Sequence, residues 1–166
     1  VLGPLLFLIF VNDFQYISDR FFSIMFADDT NLFFSGTDVV ELNTLVNMEL
    51  ENVRKWFNAN RLIINMDKTC YMLFKPKHLY VDSAKLQIKI GHKDIQKVDE
   101  IKFLGVIIDA KLTWRQHVND ISCKICRAIG VIYRVKPIVP KKVLLMLYNT
   151  LISPYLSLLD CSMGKL

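Results

Sequence analysis

The chain is short of every residue that would place it in a special class. Four cysteines in 166 residues are too few for a disulfide scaffold, and six glycines with five prolines exclude a fibrous or low-complexity chain. Long hydrophobic runs are missing as well. The longest, Val1 to Val11, stops short of the roughly 20 residues of a membrane-spanning helix and lacks the basic leader of a signal peptide. Basic residues are nearly absent from residues 1–50, where Arg20 stands alone against seven carboxylates, net −6; the remainder carries 20 basic and 9 acidic side chains, net +11. What is present, 52% hydrophobic and 11% aromatic residues, makes a folded globular chain the size of one domain or two small lobes. An acidic stretch joined to a basic one suits a protein that holds cations at one place and polyanions at another. The chain opens on Val1 in mid-pattern, which is expected of a piece of something longer.

Cysteine spacing adds little. Cys123-Lys124-Ile125-Cys126 resembles half of a zinc or redox motif, but zinc needs four ligands. The other candidates, Cys70, Cys161, His78, His92 and His117, are scattered, so buried or half-buried thiols in a reducing compartment are expected.

Hydrophobic periodicity predicts mixed helix and strand. Leu5 to Val11 is apolar all round and reads as a buried helix ending at Asn12-Asp13. Two aromatic runs, Phe21 to Ala27 and Asn31 to Phe34, flank Asp28-Asp29-Thr30 and predict a hairpin with two carboxylates where a glycine would ease the turn. Asp38 with Glu41 predicts a helix start, and Val39, Leu42, Val46, Leu50, Val53 and Phe57 form one apolar face ending near Asn58-Ala59-Asn60. Short strands are expected at Leu62 to Ile64 and Thr69 to Phe74, around a turn at Asn65 to Lys68. Leu86, Ile88 and Ile90 alternate with Lys85, Gln87 and Lys89 before a turn at Gly91-His92-Lys93, and Ile101 to Ile108 is a strand interrupted by Gly105. Thr113 with Gln116 predicts a capping box for a long helix with Trp114, Val118, Ile121, Ile125, Ala128 and Ile132 on its apolar stripe. Pro137 and Pro140 close that helix, a further one spans Val143 to Ile152 before Pro154, and a boundary is expected near Asp109 to Lys111.

Adjacent carboxylates at a hairpin tip repel one another, a repulsion that a shared proton or a cation relieves. Magnesium favours few carboxylates together with substrate phosphates, the ligand set of phosphoryl transfer. On spacing alone, two solvated turn aspartates remain the alternative.

Phe26-Ala27-Asp28-Asp29 between two hydrophobic strands resembles the active-site hairpin of reverse transcriptases of the non-LTR retrotransposon type. Four more blocks match that family in order: Val1 to Phe7 with Asn12-Asp13; Leu62, Asn65, Lys68 and Thr69; Phe103-Leu104-Gly105-Val106; and Leu112-Thr113-Trp114 with His117. The resemblance implies an α+β fold, a partial right-hand polymerase palm over residues 1–109 and a helical thumb over 110–166. It implies an RNA-directed DNA polymerase that extends a DNA primer on an RNA template with deoxynucleoside triphosphates and two Mg²⁺, or Mn²⁺. Asp28 and Asp29 would be metal ligands, and Lys68 would lie near the incoming nucleotide and protonate the pyrophosphate. Phe103, Leu104 and Gly105 would hold the primer end, and Lys124, Arg127 and Arg134 on the thumb helix would contact nucleic acid. An intracellular location, in nucleus and cytoplasm with no membrane partner, is implied too. The family's first catalytic aspartate has no counterpart here, so polymerisation by this chain alone is not expected. A non-catalytic relic that at most binds nucleic acid is the alternative. An α+β interaction module without nucleic acid would leave the basic excess unexplained.

Overall fold

The computed structural model of the chain describes residues 2–76 and 86–163. They show mixed helix and small two-stranded sheets, an α+β fold. Two compact units divide the chain: residues 1–71 with 76–97, and residues 72–75 with 98–166.

In the first unit, α1 (Leu2–Phe10) precedes a 3₁₀ turn (Asn12–Tyr16) and a hairpin of β1 (Phe22–Phe26) and β2 (Asp29–Phe33). The expected burial of α1 is corrected: none of its residues is buried. An all-apolar sequence states what favours burial, not which element covers it. Helix α2 (Val39–Ala59) keeps its predicted bounds, because the Asp38 carboxylate accepts from the Val40 and Glu41 amides at 3.0 and 2.9 Å. Its predicted face buries Val46, Leu50 and Val53. Phe14, Phe21 and Val53 form a core against which Met25 and Leu32 from one face of the hairpin pack. Trp56 and Phe57 present T-shaped edges to Phe14.

The strand expected at Leu62 to Ile64 does not form. Arg61 turns into the left-handed region (φ 57°), its amide donates to the Asn58 carbonyl, and the Leu62 amide donates to the Phe57 carbonyl. That pair of bonds closes the helix end and takes up the donor a strand would use, leaving Ile63 exposed. Of Thr69 to Phe74 only β3 (Cys70–Tyr71) is strand, paired in parallel with β6 (Gln96–Lys97), since from Met72 the chain passes into the second unit. Between them, β4 (Lys89–Ile90) and β5 (Lys93–Asp94) pair across Gly91-His92, with Gly91 at φ 61°. Leu86, Ile88 and Ile90 are buried and Gln87 and Lys89 exposed, the alternation expected; Lys85, like His78, lies outside the described residues. This segment docks on α2 through asparagines. Asn43 Oδ1 accepts from the Gln87 amide, and Asn47 accepts from the Lys89 amide while donating to the Gln87 carbonyl.

In the second unit, the strand expected over Ile101 to Ile108 is a hairpin, β7 (Glu100–Phe103) and β8 (Val106–Asp109), turned by Leu104-Gly105. Both turn residues have positive φ, 47° and 89°, as the twist of a two-residue hairpin requires. Helix α3 (Arg115–Val135) follows, then α4 (Lys141–Leu151) and α5 (Ser153–Met163). Pro154 opens α5 instead of ending a helix, because a first-turn amide has no intrahelical partner to lose. The two compact units part at Lys97 and Val98, and β8 stays with α3, on which it packs.

Candidate active site

The two strands of the acidic hairpin pair from Phe22 opposite Phe33 to Phe26 opposite Asp29, so the turn is Ala27-Asp28 and Asp29 already belongs to β2. The sequence placed both aspartates in the turn; the register places one there. Ala27 takes the strained position at φ 52°, a region that a residue with a Cβ adopts only at a cost. Asp28 and Asp29 are exposed, and neither carboxylate has a hydrogen-bond or ion-pair partner among the described residues. Two exposed carboxylates at consecutive positions offer hard oxygen donors, the ligand type that a divalent cation takes. Among the described residues, however, no group of three or more His, Cys, Asp or Glu side chains converges to hold a metal.

Lys68 is exposed at the end of a turn organised by Asn65. The Asn65 side chain accepts from the Asp67 and Lys68 amides, and its carbonyl accepts from the Thr69 amide and hydroxyl. Asn65 thus shapes the loop that presents Lys68. Asp13 is exposed and accepts from the Trp56 indole at 3.3 Å.

In the second unit, Phe103 is half-buried while Leu104 and Gly105 form the exposed tip of the β7–β8 turn. On α3, Ile121 is buried with Ile125, Ala128 and Ile132 half-buried, and Arg127 and Arg134 are exposed on the opposite flank. Lys124 differs from the two arginines. Its ammonium is 2.6 Å from the Asp120 carboxylate and 5.7 Å from the Tyr155 ring centroid. The bond to Asp120 raises its pKa and lowers that of the aspartate. Lys124 therefore anchors α3 to α5. Cys123 and Cys126 are exposed on α3, against the expectation of burial, while Cys70 is half-buried.

The expected capping box at Thr113 is absent, because Trp114 caps α3 at φ 61° with no side-chain hydrogen bond. Asp109 takes over this work, a role the sequence reading missed. Its buried carboxylate accepts from the Lys111, Thr113 and Trp114 amides and from the Thr113 hydroxyl at 2.9 to 3.2 Å. Burial raises its pKa, but these bonds together outweigh that and hold it below the ordinary aspartate value. The signal was an Asp four residues ahead of a Thr at a helix start, displaced by one turn from the usual capping position.

A family model described as "Reverse transcriptase (RNA-dependent DNA polymerase)" matches residues 1–108, a span that includes Asp28, Asp29, Lys68 and Phe103 to Gly105 but ends before α3. The chain is 27% identical over 112 residues to the "Retrovirus-related Pol polyprotein from type-1 retrotransposable element R1 2" of Nasonia vitripennis, covering 66% of the chain and 27% of that protein. It is 23% identical over 115 residues to the "Retrovirus-related Pol polyprotein from type-1 retrotransposable element R1" of the same organism, covering 68% of the chain and 34% of that protein. The chain thus spans about a third or less of the length of these curated relatives. No solved structure gives a significant match. Since the family match runs over well over half of the chain and through the acidic hairpin, the chain belongs to the reverse transcriptase (RNA-dependent DNA polymerase) family.

Proposed function

We propose that this chain forms part of an RNA-directed DNA polymerase of a non-LTR retrotransposon, extending a DNA primer on an RNA template from deoxynucleoside triphosphates. Residues 1–109 would be the C-terminal part of the palm and 110–166 the thumb. The observation that carries this reading is the pair of exposed carboxylates without a partner among the described residues, Asp28 on a strained two-residue turn and Asp29 at the start of β2, inside the segment that matches the family. Asp28 would be the principal ligand of a divalent cation, Mg²⁺ or Mn²⁺, and Asp29 a second one. When bound, such ions supply charge neutralisation at the phosphates.

The remaining work falls to the chain's own groups. The turn holds the Asp28 carboxylate at the tip of a hairpin whose inner face is fixed by Met25 and Leu32 on the core. The Asn65 loop holds the Lys68 ammonium in solvent, where it would meet the triphosphate and give a proton to the departing pyrophosphate. At the β7–β8 tip, Leu104 and Gly105 would bear on the primer end, while Arg127 and Arg134 would neutralise backbone phosphates. The second reading, for the chain on its own, is a non-catalytic relic that at most binds nucleic acid through its basic helices.

Primer extension on a homopolymer RNA template, with Mg²⁺ or Mn²⁺, tests this. The purified 166-residue chain should not extend the primer. Extension that Asp28→Asn abolishes would overturn the inactivity and keep the metal assignment. In an active polypeptide that includes this chain, Asp28→Ala should remove nearly all turnover and Asp29→Ala the same or less. Both variants within a few-fold of the parent would overturn the assignment.

A further inference from the structure

We infer that Asp109 and His117 are positioning residues that lock α3 to the β7–β8 hairpin, so that the Arg127 and Arg134 face and the Leu104-Gly105 tip meet a template-primer backbone as one rigid body. The inference rests on the nucleic-acid reading above and assigns a role that this reading leaves open: what aims the basic helix.

Between β8 and α3 the chain makes an unfavourable path. Leu112 and Trp114 both sit in the left-handed region, at φ 52° and 61°, though neither is glycine. Such residues persist only where their surroundings over-determine them. Asp109 does so from the strand side, with its carboxylate bridging Lys111, Thr113 and Trp114 and its carbonyl accepting from the Leu112 amide at 2.8 Å. His117 does so from the helix side. It is 1% exposed, and its Nδ1 accepts from the Ile107 amide of β8 at 3.2 Å. Its Nε2 is buried without a partner among the described residues, and the Trp114 ring packs against it. An apolar side chain would fill this space without an orphaned nitrogen, so what the imidazole adds is a hydrogen bond from the body of α3 to β8.

The helix makes that tie consequential. Arg134 lies 19 positions beyond the start of α3 at Arg115, close to 28 Å at about 1.5 Å per residue. A tilt of about 10° at its base would carry Arg134 roughly 5 Å, farther than a hydrogen bond reaches. The contacts of Lys124 with Asp120 and Tyr155 hold α3 to itself and to α5; toward the hairpin, Asp109 and His117 add directional hydrogen bonds to the packing of α3 on β8.

The test is binding of the 166-residue chain to a labelled RNA–DNA hybrid duplex, followed by fluorescence anisotropy across a series of salt concentrations. Arg127→Gln with Arg134→Gln should lower the slope of log K against log salt by about 0.9 per lost contact, taking the B-form value for the hybrid. His117→Phe, with both arginines intact, should weaken binding about fivefold or more and lower the slope by about one contact, at unchanged helicity by circular dichroism. His117→Asn, whose Oδ1 restores an acceptor close to Nδ1, should recover both. A residue that only stabilised the fold would leave the slope of the folded protein unchanged. If His117→Phe does not fold, Asp109→Glu, which keeps the charge but moves the carboxylate, should give the same flattening. Parental slope and affinity in the folded joint variants, alongside a flattened slope in the arginine variant, would overturn this inference and leave the nucleic-acid reading standing. No binding by the parent, or a slope indifferent to both arginines, would overturn the two together.

Discussion

Phe14→Ala and Phe22→Ala remove the same ring from the same short stretch of sequence, and the structure assigns them opposite consequences. Phe14 is fully buried, with ring centroids 5.1 Å from Trp56, 5.8 Å from Phe57 and 6.4 Å from Phe21; Phe22 is 66% exposed on the outer face of β1. Emptying the Phe14 site should cost about 3–5 kcal/mol, a large share of the roughly 5–15 kcal/mol by which domains are stable. Phe14→Leu keeps most of the volume but loses the two ring-edge contacts, each worth about 0.5–1.5 kcal/mol, so about 1–3 kcal/mol is expected. Phe22→Ala, which loses only the exposed cross-strand pairing with Phe33 at 6.2 Å, should cost about 1 kcal/mol or less. Urea unfolding followed by Trp56 fluorescence in a Trp114→Phe background reads the first unit by itself. With a slope near 2 kcal/mol per M, Phe14→Ala should move the midpoint down by about 2 M and Phe22→Ala by about 0.5 M or less. A cost below about 1 kcal/mol for Phe14→Ala, or equal costs for the two alanines, would refute this core as the support of the acidic hairpin.

Arg61→Gly should stabilise the first unit by about 0.5–1 kcal/mol in the same urea assay, since glycine adopts the left-handed helix end without the Cβ penalty that arginine bears. Because the Asp109 pKa is lowered in the folded state, its stabilisation is complete above the unfolded aspartate value and is lost as pH falls through the folded one. Asp109→Asn should therefore lower stability at neutral pH and flatten the acid limb of a pH–stability profile in the second unit; an unchanged limb would show that the carboxylate carries no such load. Lys68→Ala, in an active polypeptide that includes this chain, should lower kcat more than it raises KM, because proton donation acts only in the transition state; a change in KM alone would reduce Lys68 to a charge that attracts triphosphate.

The sequence by itself determined those elements whose signals are local. Helix α2 could be read to its ends because an Asp accepts from the amides two and three residues on and a 3.6-residue period runs unbroken to Phe57. The acidic hairpin and the family resemblance were legible because short-range patterning and ordered motifs survive without knowledge of what packs where. What only the tertiary structure decided were partners distant in the chain. Register moved Asp29 out of the turn, since a two-residue connection is set by the pairing of whole strands. The side chains of Asn43 and Asn47, on a helix, satisfy backbone groups more than 40 residues away, which no periodicity announces. Lys124 and Arg127 look alike on a helical wheel, yet Asp120 and Tyr155 engage one and leave the other to solvent. The same holds for Asp109 and His117. A buried polar side chain declares its role only when the amides it satisfies are placed around it, because the free energy lies in that geometry and not in the residue type.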